Sequence, residues 1–191
     1  MSNKTKSIIR EYTESIIIAL ALALVIRTFA VQAFKIPTGS MHPTLLENDR
    51  ILVNKFIYGA QIPFIHVRLP AIRQPKRGDI IVFKYPEDQK KDFIKRLVAG
   101  EGETVEIIGG KIAINGEIIK DGILNNITYY NFGPYGQEGI KVRVPKDCYF
   151  VLGDNSMSSK DSRYWGFVPK RNLEGEAFFI FWPIKRIGAI K

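Results

Sequence analysis

The sequence predicts a mainly β protein in which an antiparallel β-sheet body follows an N-terminal transmembrane helix. Two observations lead to this prediction. An apolar run occupies most of residues 16–34. From residue 50 onward, short β-type segments alternate with turns and no long helical period follows. We therefore predict three parts: a cytoplasmic segment over residues 1–14, a transmembrane anchor over 15–35 and an extracytoplasmic β domain over 36–191.

The apolar run has the length of a membrane span. As a helix it reaches about 28 Å, close to the ~30 Å hydrocarbon thickness of a bilayer. Its single charge, Arg27, lies toward the C-terminal end, where a long side chain reaches the headgroups. Lys4, Lys6 and Arg10 precede the run, which favours a cytoplasmic N-terminus. A cleaved signal peptide is the alternative, because Val31-Gln32-Ala33 offers small residues at the required spacing.

Turn residues divide the body into strands. Gly109-Gly110 and Asn115-Gly116 are two-residue hairpin turns that need positive φ angles, so residues 104–119 are predicted to form a three-stranded meander. Short segments of this kind join most readily as antiparallel neighbours. Further strands are predicted over residues 50–57, 79–83, 93–98, 140–144, 149–152 and 177–182.

Composition and charge narrow the classes of function. With 46% hydrophobic and 12% aromatic residues, the chain is predicted to be ordered. The net charge of +9 suits either nucleic acid or an anionic membrane, and charge alone does not choose between them. Cys148 is the only cysteine, which excludes an intrachain disulfide, and we interpret it as a buried apolar residue in preference to a reactive thiol.

Ser40 is a candidate nucleophile. It lies in Ile36-Pro37-Thr38-Gly39-Ser40-Met41-His42-Pro43-Thr44-Leu45, where glycine and two prolines bend the backbone. A plain turn is the simpler interpretation of such a segment. A Ser-His-Asp triad is disfavoured, because His42 is too close in sequence to Ser40 and His66 has no carboxylate near it in sequence.

Lys95 is a candidate general base. On the predicted strand 93–98, alternation places Lys95 on one face with Phe93 and Leu97, while Arg96 points to the other. Apolar neighbours favour the neutral amine that a base requires. The alternative is an edge-strand lysine that blocks aggregation.

Residues 153–166 form a third segment, Gly-Asp-Asn-Ser-Met-Ser-Ser-Lys-Asp-Ser-Arg-Tyr-Trp-Gly, which is rich in hydroxyls and charges. Asp161 and Arg163 are spaced to form an ion pair, and a serine hydroxyl from this loop can hydrogen-bond a neutral lysine amine. A solvated surface loop is the alternative.

Together these segments resemble type I signal peptidases. The resemblance is carried by Pro-Thr-Gly-Ser-Met-His-Pro-Thr-Leu, by Phe-Ile-Lys-Arg-Leu-Val, by loop 153–166 and by Arg77-Gly78-Asp79-Ile80-Ile81-Val82-Phe83, in the family's order. It implies a serine endopeptidase in which Ser40 is the nucleophile and Lys95 the general base. It also places the Thr38 hydroxyl and the Ser40 N–H in the oxyanion hole. Ser159 is expected to orient Lys95, and Asp161 and Arg163 are expected to form a supporting salt bridge.

The resemblance also implies substrates and location. The expected partners are exported preproteins, cut after small-x-small sites such as Ala-x-Ala, and membrane lipids, but not nucleic acid. The expected location is the inner (plasma) membrane, with a single span and the catalytic domain on the extracytoplasmic side. No cofactor and no metal are expected.

Three departures from the family pattern occur: threonine at Thr38, the segment Ala99-Gly100-Glu101-Gly102-Glu103 in place of a Leu-Pro-Gly-Asp type of turn, and Ser156 where some members carry arginine. Two other functions share some of these features. A soluble self-cleaving regulator shares the Ser-Lys pair but lacks the apolar run. A catalytically silent β module that binds peptides or lipid would not need to retain Ser40 and Lys95.

Overall fold

The computed structural model of the protein describes residues 10–20, 22–23, 31–59, 68–120 and 122–190. Residues 10–20 form helix α1. Among the described residues, no helix combines the length and the apolar composition needed to cross a bilayer. The central part of the predicted anchor, residues 21 and 24–30, lies outside the described residues.

The structure corrects the predicted C-terminal end of the anchor. Residues Val31–Lys35 form strand β1, which pairs antiparallel with β2 (Arg50–Asn54) from Val31 opposite Asn54 to Lys35 opposite Arg50. An apolar run has the same composition in a buried strand as in a helix, so the pattern could not place this boundary. The helix that was predicted to continue to residue 35 therefore ends before Val31.

The prediction of a mainly β, antiparallel body is confirmed: every strand pair in the described residues is antiparallel. The remaining elements are β3 (Ile80–Tyr85), β4 (Asp88–Ala99), β5 (Thr104–Ile108), β6 (Lys111–Ile114), β7 (Glu117–Ile118), α2 (Ile123–Asn126), β8 (Val142–Arg143), β9 (Cys148–Leu152), α3 (Ser162–Trp165), β10 (Val168–Pro169), β11 (Leu173–Trp182) and β12 (Gly188–Ala189).

The strands of the described residues form two sheets. The larger has the order β1-β2-β11-β3-β4-β9-β10, with β12 paired to β11, and the smaller has the order β7-β6-β5-β8. The predicted meander is β5-β6-β7 of the smaller sheet. Its turn residues Gly109, Gly110, Asn115 and Gly116 all have positive φ angles, as the hairpin prediction required.

Apolar packing fixes the two segments that carry Ser40 and Lys95, the candidate catalytic dyad. One core cluster contains Ile36, Met41 and Leu45, which flank Ser40 in the sequence. A second contains Leu97 from β4, with Phe93 packed against it. Because close-packed interiors resist displacement, both segments are held by side chains on each side of the polar residue.

Cys148 is the first residue of β9 and is partly buried against the core. Burial raises the pKa of its thiol, which favours the unreactive protonated form. Its environment agrees with the prediction of an apolar role.

Candidate active site

A turn after β1 presents Ser40. The residue lies in a short 3-10 turn over Gly39–Met41, and only 8% of its surface is exposed. The backbone N–H of His42 donates to the Gly39 carbonyl at 3.1 Å and closes the turn. With Met41 buried beneath it, the turn holds the Ser40 hydroxyl in one position.

Strand β4 brings Lys95 to Ser40. Lys95 Nζ donates a hydrogen bond to Ser40 Oγ at 2.7 Å and another to the Ile94 carbonyl at 3.0 Å. Its Nζ lies 5.6 Å from the centre of the Phe93 ring, and Phe93 packs in the same cluster as Leu97. The structure thus brings together two predicted residues that are 55 positions apart in the sequence.

Burial changes the acidity of Lys95, which is 4% exposed. Desolvation lowers the pKa of its ammonium from 10.5 to about 8, because a poorly hydrated site disfavours the charged form. The carboxylates of Asp161 and Asp154 act against this shift, and the Arg163 guanidinium adds to it. A pKa near 8 makes the neutral amine accessible close to physiological pH, as general-base catalysis requires.

Loop 153–166 packs directly against the Ser40 turn. The backbone N–H of Asn155 donates to the Ser40 carbonyl at 3.1 Å, and its side-chain amide donates to the Gly39 carbonyl at 3.0 Å. Gly153 approaches so closely that an added Cβ would lie 2.5 Å from the Ser40 carbonyl oxygen, so only glycine fits there. Sequence reasoning did not assign a role to Asn155, and the polar run directly after β9 was the only signal for it.

Asp161 and Arg163 form a fully buried, bidentate ion pair. Arg163 Nε donates to Asp161 Oδ1 at 2.8 Å, and Nη2 donates to Oδ2 at 2.8 Å. Asp161 Oδ2 also accepts the Gly153 backbone N–H at 3.0 Å. The pair therefore joins the first part of the loop to its last part.

Ser159 does not form the hydrogen bond to Lys95 that the sequence analysis expected. Its hydroxyl is buried and has no hydrogen-bond partner among the described residues. It lies beside Gly153, since a Cβ added there would be 2.2 Å from Ser159 Oγ. The Lys95 amine is instead held by the Ile94 carbonyl of its own strand.

Arg96 and Asp154 form a second buried ion pair, which was not predicted from the sequence. Its side chains are 2% and 0% exposed. A charged residue between the apolar residues Ile94 and Val98 on one strand face indicates a buried charge, and such a charge needs a counter-ion. The sequence alone does not show that the counter-ion lies 58 positions away.

The comparisons with known proteins agree on one family. The model for signal peptidase, peptidase S26, matches residues 9–182, a range that includes both Ser40 and Lys95. This chain belongs to the peptidase S26 family.

Individual signal peptidases are similar along most of the chain. The signal peptidase I of Leptolyngbya laminosa is 38% identical over 98% of this chain and 86% of its own length. A probable signal peptidase I-2 of Synechocystis is 38% identical over 94% of this chain and 76% of its own length. The signal peptidase I of Pseudomonas aeruginosa is 37% identical, with coverages of 91% and 73%. The chain is thus a peptidase of the signal peptidase type.

Two departures from the S26 pattern are accommodated by local contacts. In the segment 99–103, the Glu103 carboxylate accepts the Gly100 backbone N–H at 2.8 Å and pairs with Arg77. Ser156 accepts hydrogen bonds from Arg163 Nη1 at 2.7 Å and from the Tyr130 backbone N–H at 2.8 Å. Neither change removes a group from the Ser40 and Lys95 site.

The third departure, Thr38, lies at the start of the Ser40 turn. Its backbone is extended (φ −137°, ψ 156°), its side chain is exposed, and its hydroxyl does not cap the turn. The structure places it two residues before Ser40, on the solvent side of the turn.

Proposed function

We propose that this S26 peptidase is a membrane-bound serine endopeptidase that removes signal peptides from exported preproteins, with Ser40 as the nucleophile and Lys95 as the general base. The observation that carries the proposal is the 2.7 Å contact between Lys95 Nζ and Ser40 Oγ in a buried site. Serine is a weak nucleophile unless a base takes its proton, and a desolvated lysine amine is such a base.

Acylation begins when Lys95 is neutral. When the ammonium has lost its proton, the amine keeps an N–H for the Ile94 carbonyl, and the 2.7 Å contact with Ser40 reverses so that the Ser40 hydroxyl donates to the amine lone pair. Lys95 takes the Ser40 proton while Oγ attacks the carbonyl carbon of the scissile peptide bond. The new ammonium then protonates the departing amine, which releases the mature protein and leaves an acyl-enzyme on Ser40.

Deacylation repeats the same proton transfers with water. Lys95, neutral again, removes a proton from water, and the resulting hydroxide attacks the acyl carbon. The ammonium returns its proton to Ser40 Oγ as the signal peptide leaves with a free carboxylic acid, which then ionises by losing its proton to solvent. One base therefore serves both half-reactions, and the protons balance over the cycle.

We assign the oxyanion hole to the Thr38 hydroxyl and the Ser40 backbone N–H. Thr38 directly precedes the turn that presents the nucleophile, and the Ser40 N–H belongs to that turn, so the backbone holds both donors close to Ser40. Donors aimed at this oxygen stabilise the transition state more than the ground state. The Thr38 side chain is exposed and does not cap the turn, so its hydroxyl is available to a bound substrate.

A small cavity beside the dyad supports cleavage after small residues. It has a volume of about 40 Å³ and is lined by Ile36, Pro37, Phe93 and Ile94, among other residues. Ile94 precedes the base in β4, and Pro37 lies shortly before the nucleophile. Its lining is mostly apolar, although Lys35 and Asp92 also contribute, and a space of this size favours a methyl group over a larger side chain, which matches a small-x-small site.

The membrane location follows from the N-terminal segment. We propose a single span that ends before Val31 in the inner (plasma) membrane and places the β body on the extracytoplasmic side. The residues left to it, 15–30, reach about 24 Å as a helix, a length that a bilayer accommodates by local thinning and by snorkelling of flanking charged side chains. β1 is about 17 Å long, so the site that follows it lies within reach of the bilayer surface. We assign the net charge of +9 to attraction by anionic lipid, worth about 1 kcal/mol per well-placed cation, and not to nucleic acid.

The test uses the full chain in detergent with a preprotein that carries an Ala-x-Ala site. We expect one cut, located by mass spectrometry directly after the second alanine, and no cut by Ser40→Ala. Replacing that alanine in the substrate by leucine should abolish cleavage, because leucine exceeds the small cavity. Cleavage at unrelated sites, or by Ser40→Ala at the rate of the unmodified enzyme, would contradict the proposal.

A further inference from the structure

A second, larger cleft lies next to the Ser40 turn. The small cavity is lined by Ile36 and Pro37, which precede Ser40 in the chain, and by residues of β2, β3 and β4, including Phe93 and Ile94. The larger cleft, of about 400 Å³, is lined by residues that follow Ser40, His42 and Pro43, and by part of loop 153–166. Both cavities border the segment that carries Ser40, so a peptide bound across Ser40 has the larger cleft within reach.

This cleft is built on the contacts that hold the nucleophile. Asn155, one of its lining residues, donates hydrogen bonds to the carbonyls of both Gly39 and Ser40. His42 donates its backbone N–H to the same Gly39 carbonyl. The same hydrogen bonds from Asn155 and His42 thus hold both the cleft wall and the turn that carries the Ser40 hydroxyl.

Two exposed apolar side chains line the cleft. Met157 is 64% exposed and Tyr130 is 44% exposed. Scattered apolar residues are common on protein surfaces and need no function. Tyr130, however, is held in place, because the buried Ser156 hydroxyl accepts its backbone N–H and Arg163 Nη1, and its ring stacks on Phe132 at 5.9 Å between centres. Tyr130 therefore forms a preorganised apolar contact beside the nucleophile, to which Met157 adds an exposed, adaptable side chain.

We propose that this cleft binds the first side chains of the mature protein, directly after the cleaved bond, and favours an apolar or aromatic side chain there. The inference rests on the proposed function, because it requires cleavage at Ser40. A thioether and an aromatic ring both make favourable contacts with an aromatic guest, and an unbranched methionine adapts to guests of different shape. Met157 and Tyr130 are then specificity-determining residues.

A neighbouring depression supplies a matched control. It has a volume of about 350 Å³ and is lined by residues 157–160 and by Tyr164, with no contribution from the Ser40 turn. Tyr164 is 40% exposed, close to the value for Tyr130. Met157 lines both spaces, but Tyr164 does not line the cleft that we assign, so Tyr164→Ala removes a comparable exposed ring from the same region and leaves Tyr130 and Met157 in place.

The experiment compares two peptides with the same Ala-x-Ala residues before the bond. One has Phe at the first two positions after the bond and the other has Ser at both. With the full chain in detergent, we expect kcat/KM for the Phe peptide to exceed that for the Ser peptide roughly tenfold, the scale on which an apolar pocket discriminates. Met157→Ala and Tyr130→Ala should each reduce this ratio to about twofold, and Tyr164→Ala should leave it unchanged.

Three results overturn the inference while the proposed function stands: a ratio near one for the unmodified enzyme, a ratio that Met157→Ala and Tyr130→Ala leave unchanged, or a ratio that Tyr164→Ala lowers as much as they do. A variant that loses activity equally on both peptides keeps its ratio and counts against the inference. If the unmodified enzyme cleaves neither peptide, the proposed function fails and the inference fails with it.

Discussion

Arg96 and Asp154 form a bidentate ion pair that is almost completely shielded from solvent. Arg96 Nε donates to Asp154 Oδ1 at 2.8 Å, and Nη2 donates to Oδ2 at 2.6 Å. Arg96 follows the base Lys95 in β4, and Asp154 precedes Asn155, which holds the Ser40 turn. The pair therefore connects β4, which carries the proposed base Lys95, to the loop whose Asn155 holds the turn of the proposed nucleophile Ser40.

Removing one partner of this pair should destabilise the protein strongly. Asp154→Ala leaves the Arg96 guanidinium buried without a counter-ion, and such changes cost about 3–5 kcal/mol. We expect this decrease in the free energy of unfolding, measured by urea denaturation followed by circular dichroism. The control is the double variant Arg96→Met with Asp154→Leu, which replaces both charges with apolar groups and should recover most of the loss. A decrease below about 1 kcal/mol for Asp154→Ala would show that the pair is not a significant source of stability.

Ser156 and Ser159 provide a matched pair of serine-to-alanine changes within one loop. Both are 5% exposed. The Ser156 hydroxyl accepts from Arg163 and from the Tyr130 N–H, so Ser156→Ala should leave buried donors unsatisfied and cost about 1–3 kcal/mol. The Ser159 hydroxyl has no hydrogen-bond partner among the described residues, so Ser159→Ala should leave the free energy of unfolding unchanged or raise it. Equal losses for the two variants in urea denaturation would contradict these hydrogen-bond assignments.

The Thr38 hydroxyl can be tested by two conservative changes. Thr38→Val keeps the shape but removes the donor, so kcat should fall by ~10²–10³. Thr38→Ser keeps the donor and should retain activity within a few-fold. Single-turnover kinetics on one peptide separates the chemical step from binding. If Thr38→Val acylates as fast as the unmodified enzyme, the oxyanion hole lies elsewhere.

The rate of cleavage should follow the ionisation of Lys95. Burial lowers the pKa of its ammonium to about 8, and only the neutral amine accepts the Ser40 proton, so kcat/KM should rise with pH and level off above about 8. Phe93→Ala should admit water to the amine and raise its pKa, which moves the rising limb to higher pH. Phe93 also lines the small cavity, so its loss can change the maximum kcat/KM through substrate binding. The quantity that tests Lys95 is therefore the pH at the midpoint of the rising limb.

Ile107→Ala, in the smaller sheet, is the control for this experiment. Ile107 is buried in a different core cluster, so its loss should lower stability without moving the limb. A midpoint that stays in place in folded, active Phe93→Ala would show that the ring does not exclude water from Lys95.

The parts of this fold that the sequence predicts well depend on local chemistry. Gly109-Gly110 and Asn115-Gly116 require positive φ angles, and that requirement placed two hairpins correctly. Alternation along β4 placed Lys95 with Phe93 and Leu97, because side chains of a strand point to alternate faces. The predicted strands lie close to observed ones, although their ends shifted by several residues.

The parts that the sequence did not reveal depend on distant partners. β1 was included in the predicted anchor, because an apolar run does not show whether it pairs with a strand some twenty residues later. The Arg96 and Asp154 pair required knowledge of which residue faces β4 across the sheet. The expected bond from Ser159 to Lys95 depended on how loop 153–166 packs against β4, which the sequence does not show, and the structure places the Ser159 hydroxyl beside Gly153 without a hydrogen-bond partner among the described residues.

The most direct test of the central claim is kcat/KM for one preprotein with the unmodified enzyme, Ser40→Ala, Lys95→Ala and Lys95→Arg. Each variant should lose activity by a factor on the order of 10⁴ or more, because each disables the same proton-transfer pair. Lys95→Arg distinguishes a base from a mere cation, since a guanidinium stays protonated at any accessible pH. Circular dichroism shows whether each variant is folded. We predict background cleavage by all three folded variants, and substantial cleavage by folded Lys95→Arg or Lys95→Ala would contradict the assignment of Lys95 as the base that activates Ser40.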